Sequence, residues 1–400
     1  MIGAPSERNE PPYAGLRVLE LARVLAGPWI GQTLADLGAE VVKVESPDGD
    51  ETRRWGPPFL ENADGSPADA AYFHSCNRGK QSLVLDFRDA DDLRRVLQLA
   101  READVLIENF KVGGLEKFGL DYTSLATLNP TLVYCSISGF GQEGRYAERP
   151  GYDFVAQAMS GLMDVTGEPG RAPQKVGVAV SDIVTGLYGL IGIQAALAER
   201  GRSGRGQRVD VALLDSTMGI LANQTLNHLI GNLNPTRMGN AHPNIAPYQE
   251  FRTADGFIVV AVGNDAQFRA LCDALGCAAL AADPRFAANA GRVRNRAALE
   301  QQLAPLLAAL RREDALARLA AARVPAGPIN TVAEALADPN TRERGMVVAS
   351  PAEGYRDPTI PGLGIPIRFS RSTTQPSRPA PRLGSAGRGE SGSGFPSKRK

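Results

Sequence analysis

The sequence predicts an α/β protein with a mostly parallel sheet and a second, smaller domain. Three observations carry this. Short apolar strands alternate with helical segments along the first half of the chain, a pattern that puts helices on both faces of parallel strands. At 400 residues the chain exceeds one ordinary core, so a large and a small domain are expected. The character then changes at Gly231, where Gly, Asn and Pro accumulate up to Pro247.

Taken in order, residues 16–21 alternate as a strand does. Ala26-Gly27-Pro28 opens a helix, with Pro28 suited to its first turn, and Gly38 ends it. Residues 39–45 form the next strand and complete a βαβ unit. The pattern recurs: strand 82–87, helix 89–102, then strands 104–109 and 132–138. Helices are predicted over 151–166 and from Asp182 onward, a strand over 207–213 and a long helix over 215–230. Residues 248–252 and 256–262 read as a hairpin turning at Ala254-Asp255-Gly256. Helices follow near 266–275, 297–310 and 313–322, and a Pro-rich crossing at 324–330. The expected division is a large domain over 14–230, a small domain with its linkers over 231–330 and a return to the large domain over 331–384. Residues 385–400 are rich in Gly, Ser and Arg, a composition that cannot bury a core, and are expected to be disordered.

Charge and composition exclude several classes. Lys+Arg and Asp+Glu balance at 44 each, which argues against a nucleic-acid surface and makes any anion site local. Cys76, Cys135, Cys272 and Cys277 form no CxxC pair, and there are only three histidines, so no metal cluster is expected. These cysteines read as buried thiols in a reducing compartment. Residues 1–13 lack the features of a signal peptide, and the longest apolar run, 183–197, is short and interrupted by Gly. A cytoplasmic protein without a membrane partner is expected.

Ligands in parallel sheets sit beyond the carboxyl ends of strands. Here those ends are 23–27, 46–54, Arg88, 109–114 and 139–144, and no GxGxxG follows the first strand. Asp182 is the only charged side chain between Lys175 and Glu199. It reads either as the N-cap of its helix or as a carboxylate nucleophile. Two polar clusters, 48–58 and 77–80, hold cations that could take phosphates, with Trp55 or Phe110 on an adenine ring; the competing reading is solvated loop charge. Asp153 reads as a helix cap and Tyr152 as packing, while His242 is an acid/base candidate. No Ser-His-Asp or Cys-His spacing is present.

Several segments together resemble the class III CoA-transferases: Leu25-Ala26-Gly27-Pro28, residues 37–45, Gly49-Asp50-Glu51-Thr52-Arg53, residues 105–110 and Ser181-Asp182 through Gly186. The likeness runs from about Gly15 to Gly384. It implies a Rossmann-like large domain, a small domain and an interlocked homodimer of ring-like chains. It makes Asp182 the catalytic aspartate. It places coenzyme A, a thioester substrate rather than a tightly bound cofactor, against Leu25, Ala26, Leu85 to Arg88, Asn109, Phe110, Lys117 and Tyr152. Asp153 falls where a transferase glutamate lies near the reaction centre.

The resemblance also has departures. Leu25 stands where oxalate-specific members have glutamine, so formyl or oxalyl specificity is not implied. Ser46 stands where an arginine is common, so one CoA phosphate contact is either lost or supplied by Arg53 or Arg54. The racemases of this family carry a His base in Gly-His-Asp, and here the triplet is Gly151-Tyr152-Asp153, which weakens the alternative of an acyl-CoA racemase. Residues 55–59, 239–243 and 246–249 look like the branch that moves CoA between succinate and other dicarboxylates such as glutarate. Arg237 or His242 is the expected cation for the far carboxylate.

Overall fold

In the computed structural model, which describes residues 10–375, 378–387 and Phe395, the predicted alternation builds one six-stranded sheet. Its elements are β1 (Arg17–Glu20), α1 (Ala26–Asp36), β2 (Glu40–Glu45), β3 (Gln81–Val84), α2 (Ala90–Glu102), β4 (Val105–Glu108) and β5 (Val133–Ser138). Then come α3 (Asp153–Met159), α4 (Val180–Ser203), β6 (Arg208–Ala212) and α5 (Leu213–Gly219). All five pairings are parallel, and the strand order is β3-β2-β1-β4-β5-β6. This is the doubly wound order, in which the direction of winding reverses between β1 and β4.

Alternation along each strand fills two cores. Val18, Val41, Val105 and Ile107 pack with Ile30 and Leu34 of α1 and Ile193 of α4. Leu19, Val42, Val44 and Leu106 pack on the other face with Val96 and Leu99 of α2. Gly38, at φ +102°, follows α1 as expected, and Asp89 caps α2 by accepting the N–H groups of Asp91 and Asp92. α4 has 24 residues, and glycines let its inner face close on its neighbours. A Cβ at Gly186 would lie 2.9 Å from Ala26 O and 3.3 Å from the Trp29 side chain, and one at Gly189 would lie 2.6 Å from Ile30 Cδ1.

Two long helices of the sequence reading are broken. Residues 151–166 form α3 and a single turn Leu162–Val165, separated by Gly161 at φ +91°. Residues 215–230 fall into α5 and α6 (Asn223–Gly231), with Ala222 between them at φ +47°. A left-handed residue cannot continue a right-handed helix.

A second unit comprises Met163–Lys175 and Gln224–Asp338, against an expected span of 231–330 with a return to the large domain from 331. It contains an antiparallel sheet of β7 (Tyr248–Thr253), β8 (Gly256–Ala261) and β9 (Ala326–Pro328). The hairpin is as predicted, but the Pro-rich crossing at 324–330 supplies a third strand. It lies at the edge, where Pro is tolerated. Phe251, Ile258, Phe268, Leu299 and Leu303 form the core of this unit.

The four cysteines are unpaired, and only Cys277 is partly exposed. Of the tail, residues 388–394 and 396–400 lie outside the described residues. Ala386 N–H donates to Ser82 O, and Phe395 is buried in the α2-side core with the Arg17 guanidinium over its ring. These residues are not the disordered ones that composition suggested.

Candidate active site

A cleft of about 370 Å³ opens at the carboxyl ends of β1 and β4, where the winding reverses. The turn 23–26 after β1, residues 109–112 after β4, Ser138 and Gly139 after β5, residues 147–152 and Asp182 line it. Leu25, Ala26, Asn109, Phe110, Tyr152 and Asp182, scattered over the sequence, therefore meet at one place.

Asp182 lies in the first turn of α4 but does not cap it. The N-cap position is Ala179, which has no capping side chain. Instead Asp153, on α3, accepts the Ser181 N–H at 2.7 Å through one oxygen, and Gln157 Nε2 at 2.8 Å through the other. Gln157 Oε1 takes the Val176 N–H at 2.9 Å. Thr185 Oγ1 donates to Ser181 O at 2.6 Å, and Thr217 Oγ1 lies 2.8 Å from Ser181 Oγ. The residue before Asp182 is thus fixed at its N–H, carbonyl and hydroxyl. The Asp182 carboxylate itself has no hydrogen-bond partner among the described residues.

Burial, first, and the nearby Asp153 carboxylate, second, push the Asp182 carboxyl up to about 7. Its place at the positive end of a helix works the other way and is outweighed. The Tyr72 hydroxyl is pushed up to about 12 by burial and then by Asp182, which places that ring within electrostatic reach of the carboxylate. Asp153→Asn keeps an acceptor for Ser181 N–H and removes a charge. The pH midpoint for reaction at Asp182 should therefore fall below about 7, but stop short of an exposed Asp because burial remains. An unmoved midpoint in a pH–rate profile would refute the coupling.

Other predicted residues lie elsewhere. Leu85 is buried in the α2-side core. Arg88 is exposed and pairs with Asp86 at 2.8 Å. Lys117 Nζ lies over the Phe118 ring, and none of the three lines the cleft. Arg53 cannot stand in for the arginine missing at Ser46. It is buried, with two bonds to Glu45 at 2.7 and 2.8 Å and one to Asp69 at 2.7 Å. Arg54 donates to Asp48 O. In the second polar cluster Arg78 pairs with Asp36, and Lys80 is buried against Glu20. Trp55 packs edge-on against Tyr72 outside the cleft lining. In the second unit, the His242 ring packs at a tilt of 57° against Tyr248 and accepts the Asn244 N–H at Nδ1. There Arg237 is paired with Asp164 at 2.7 Å.

The cations that do reach the cleft are Arg23, Lys111 and Arg149. Arg23 is held by Glu51 at 2.7 Å. Arg149, over the Tyr146 ring, has no carboxylate partner among the described residues. Its position before Pro150-Gly151 was visible in the sequence, but nothing local marked it as facing a ligand.

The chain matches the family model described as CoA-transferase family III over residues 13–386. It is 52% identical to the succinate–glutarate CoA-transferase of Agrobacterium fabrum, over 94% of both chains. It is 38% identical to the succinyl-CoA:glutarate CoA-transferase of Homo sapiens, over 94% of this chain and 84% of that one. A crystal structure of a CAIB/BAIF family protein from Brucella suis superimposes with a TM-score of 0.83 at 55% identity, covering 94% of this chain and 98% of that one.

Proposed function

The chain belongs to CoA-transferase family III, and from that premise we propose that it moves CoA from succinyl-CoA to glutarate through covalent intermediates on Asp182. A cleft-lining carboxylate, held at about 7 by burial and by Asp153, carries this reading. Near neutral pH such a group is part ionised, poorly solvated and a competent nucleophile.

An Asp182 oxygen attacks the succinyl carbonyl carbon; the C–S bond breaks and CoA leaves as thiolate. The thiolate attacks Asp182 Cγ and expels succinate, which departs with one aspartate oxygen. The result is an aspartyl-CoA thioester. A glutarate carboxylate attacks Cγ and releases the thiolate again. Attack of the thiolate on the glutaryl carbon then gives glutaryl-CoA and restores Asp182 with a glutarate oxygen. The steps need no ATP and no resident cofactor. Water must be excluded, since it would hydrolyse either intermediate. N–H groups at the start of α1 suit the transient oxyanions, and Arg149 and Lys111 suit CoA phosphates.

Intact mass after incubation with succinyl-CoA tests the mechanism. The wild type should gain a CoA or succinyl adduct and Asp182→Asn should gain none. The same adduct on both proteins would overturn it.

We assign the working form as a homodimer in the cytoplasm. The unpaired cysteines suit a reducing compartment. The apolar faces of α3 and α4 suit a second copy: Tyr152 is 66% exposed, and Phe154 and Ile191 are each 57% exposed. Sedimentation at the mass of one chain would refute the dimer.

A further inference from the structure

The turn 23–26 lines the cleft, and it is fixed by Asn109 beside it and by buried groups beneath it. Val24 has φ +71°, a left-handed conformation that a β-branched residue rarely adopts. Such a residue persists only where its surroundings over-determine it. Here they do. Asn109 accepts Arg23 N–H at 2.9 Å and donates to Arg23 O at 2.7 Å. Asp50 Oδ2 accepts Val24 N–H at 3.2 Å, and Cys76 Sγ lies 3.5 Å from Val24 O. On either side, Lys43 Nζ donates to Ala22 O at 2.7 Å and Lys80 Nζ to Pro28 O at 2.8 Å.

Asp50, Lys43 and Lys80 form one buried network with Glu20. Lys43 bridges Glu20 at 3.1 Å and Asp50 at 3.0 Å, and Lys80 pairs with Glu20 at 2.8 Å, every side chain fully buried. Asp50 is fixed further by Thr52, whose N–H and hydroxyl it accepts at 3.0 and 2.7 Å. Burial would raise its carboxyl, but Lys43 and Thr52 prevail and hold it below the usual range. The network reaches the cleft through the backbone of this turn, and beside it Glu51, which follows Asp50, lines the cleft and holds Arg23. Beyond the turn α1 begins. Its first helical bond runs from Trp29 N–H to Leu25 O, Pro28 has no N–H, and Ala26 and Gly27 N–H have no backbone acceptor among the described residues.

We propose that Asp50, fixed by Lys43, is a positioning residue for CoA transfer: by accepting Val24 N–H it sets the left-handed turn that presents the start of α1 to the thioester in the Asp182 cleft. Asp50 touches no substrate; it acts through the backbone of Val24. The proposal rests on the transferase reading above, but not on which acid is transferred. A displacement of the reacting group's surroundings by even about 1 Å costs rate out of proportion to binding.

The test compares full-length Asp50→Ala and Asp50→Asn with Leu303→Ala, which cuts a buried leucine from the second unit's core. Assays run well below every variant's melting temperature. Asp50→Ala should lower kcat for transfer from succinyl-CoA to glutarate by at least about tenfold, with KM for succinyl-CoA changed less than about threefold. Amide exchange in peptides spanning 21–27 should quicken in the same variant. Asp50→Asn, which keeps an acceptor oxygen but loses the pairing with Lys43, should fall between it and the wild type on both readouts. Leu303→Ala should melt lower and keep kcat within about twofold. Wild-type kcat or unchanged exchange at 21–27 in Asp50→Ala overturns the proposal, as does an equal kcat loss in Leu303→Ala. Should Asp50→Ala give no soluble protein, Asp50→Asn decides: wild-type values on both readouts overturn the proposal. The exchange readout does not involve Asp182, so failure of the covalent mechanism and failure of the clamp are told apart.

Discussion

Asp182→Asn should abolish CoA transfer and, at pH 8, melt higher than the wild type. The first effect is the loss of the proposed nucleophile, expected to be about a thousandfold or more in kcat. The second follows from linkage. The folded carboxyl titrates near 7, whereas an unfolded aspartate titrates near 3.9. Between these values the folded chain binds more protons than the unfolded one, so stability falls as pH rises through the window and levels off above it. Asparagine has no charge to desolvate. Its advantage should be absent below about pH 4, grow up to about pH 7 and then stay constant, on the order of a few degrees in Tm. Thermal melts at pH 4 and pH 8 check the sign. A variant less stable than the wild type at pH 8 would show that Asp182 is held by favourable contacts rather than strained by burial.

Lys43→Met should cost about 3–5 kcal/mol near neutral pH, because removing one partner of a buried pair leaves uncompensated charge. Lys43 is fully buried in the middle of β2 and bridges two carboxylates that are themselves fully buried. Without it Glu20 keeps Lys80, but Asp50 faces the interior with only Thr52 and the Val24 N–H. In the wild type Asp50 lies below its usual range, so its contribution is present near neutral pH and is lost in acid. In the variant Asp50 must take up a proton to fold, and the sign reverses: the deficit should widen from pH 5 to pH 8. Denaturant unfolding at both values measures it. A deficit independent of pH would mean that the lysine contributes packing alone.

The sheet could be read from the sequence because each of its signals is local. The strand–helix–strand rhythm and the stop at Gly38 depend on residues a few positions apart. The site was legible where motif and strand end coincide, as at residues 25–26 and 109–110. What failed was the assignment of charges. Arg53 and Lys80 sit in polar loops and look available to phosphates. Both are turned inward by carboxylates on strands, Glu45 and Glu20, and sequence spacing does not show such partners. The capping reading of Asp182 failed for the same reason. The group that satisfies the start of α4 is Asp153, supplied by a different helix 28 positions from the Ser181 N–H it accepts. Arg149 was missed because its exposure inside a cleft is a property of the fold.

Gly186 stands one helical turn beyond Asp182, and the carbonyl of Ala26 occupies the space its side chain would fill. The separation between α4 and the start of α1 is therefore set by a missing methyl group. Such a spacing has no soft degree of freedom: alanine at 186 would wedge the two helices apart, and no rotamer could relieve it. Variation in the acids handled on this scaffold would then have to arise among the side chains around the cleft. The backbone frame around Asp182 has no room for a side chain at that crossing.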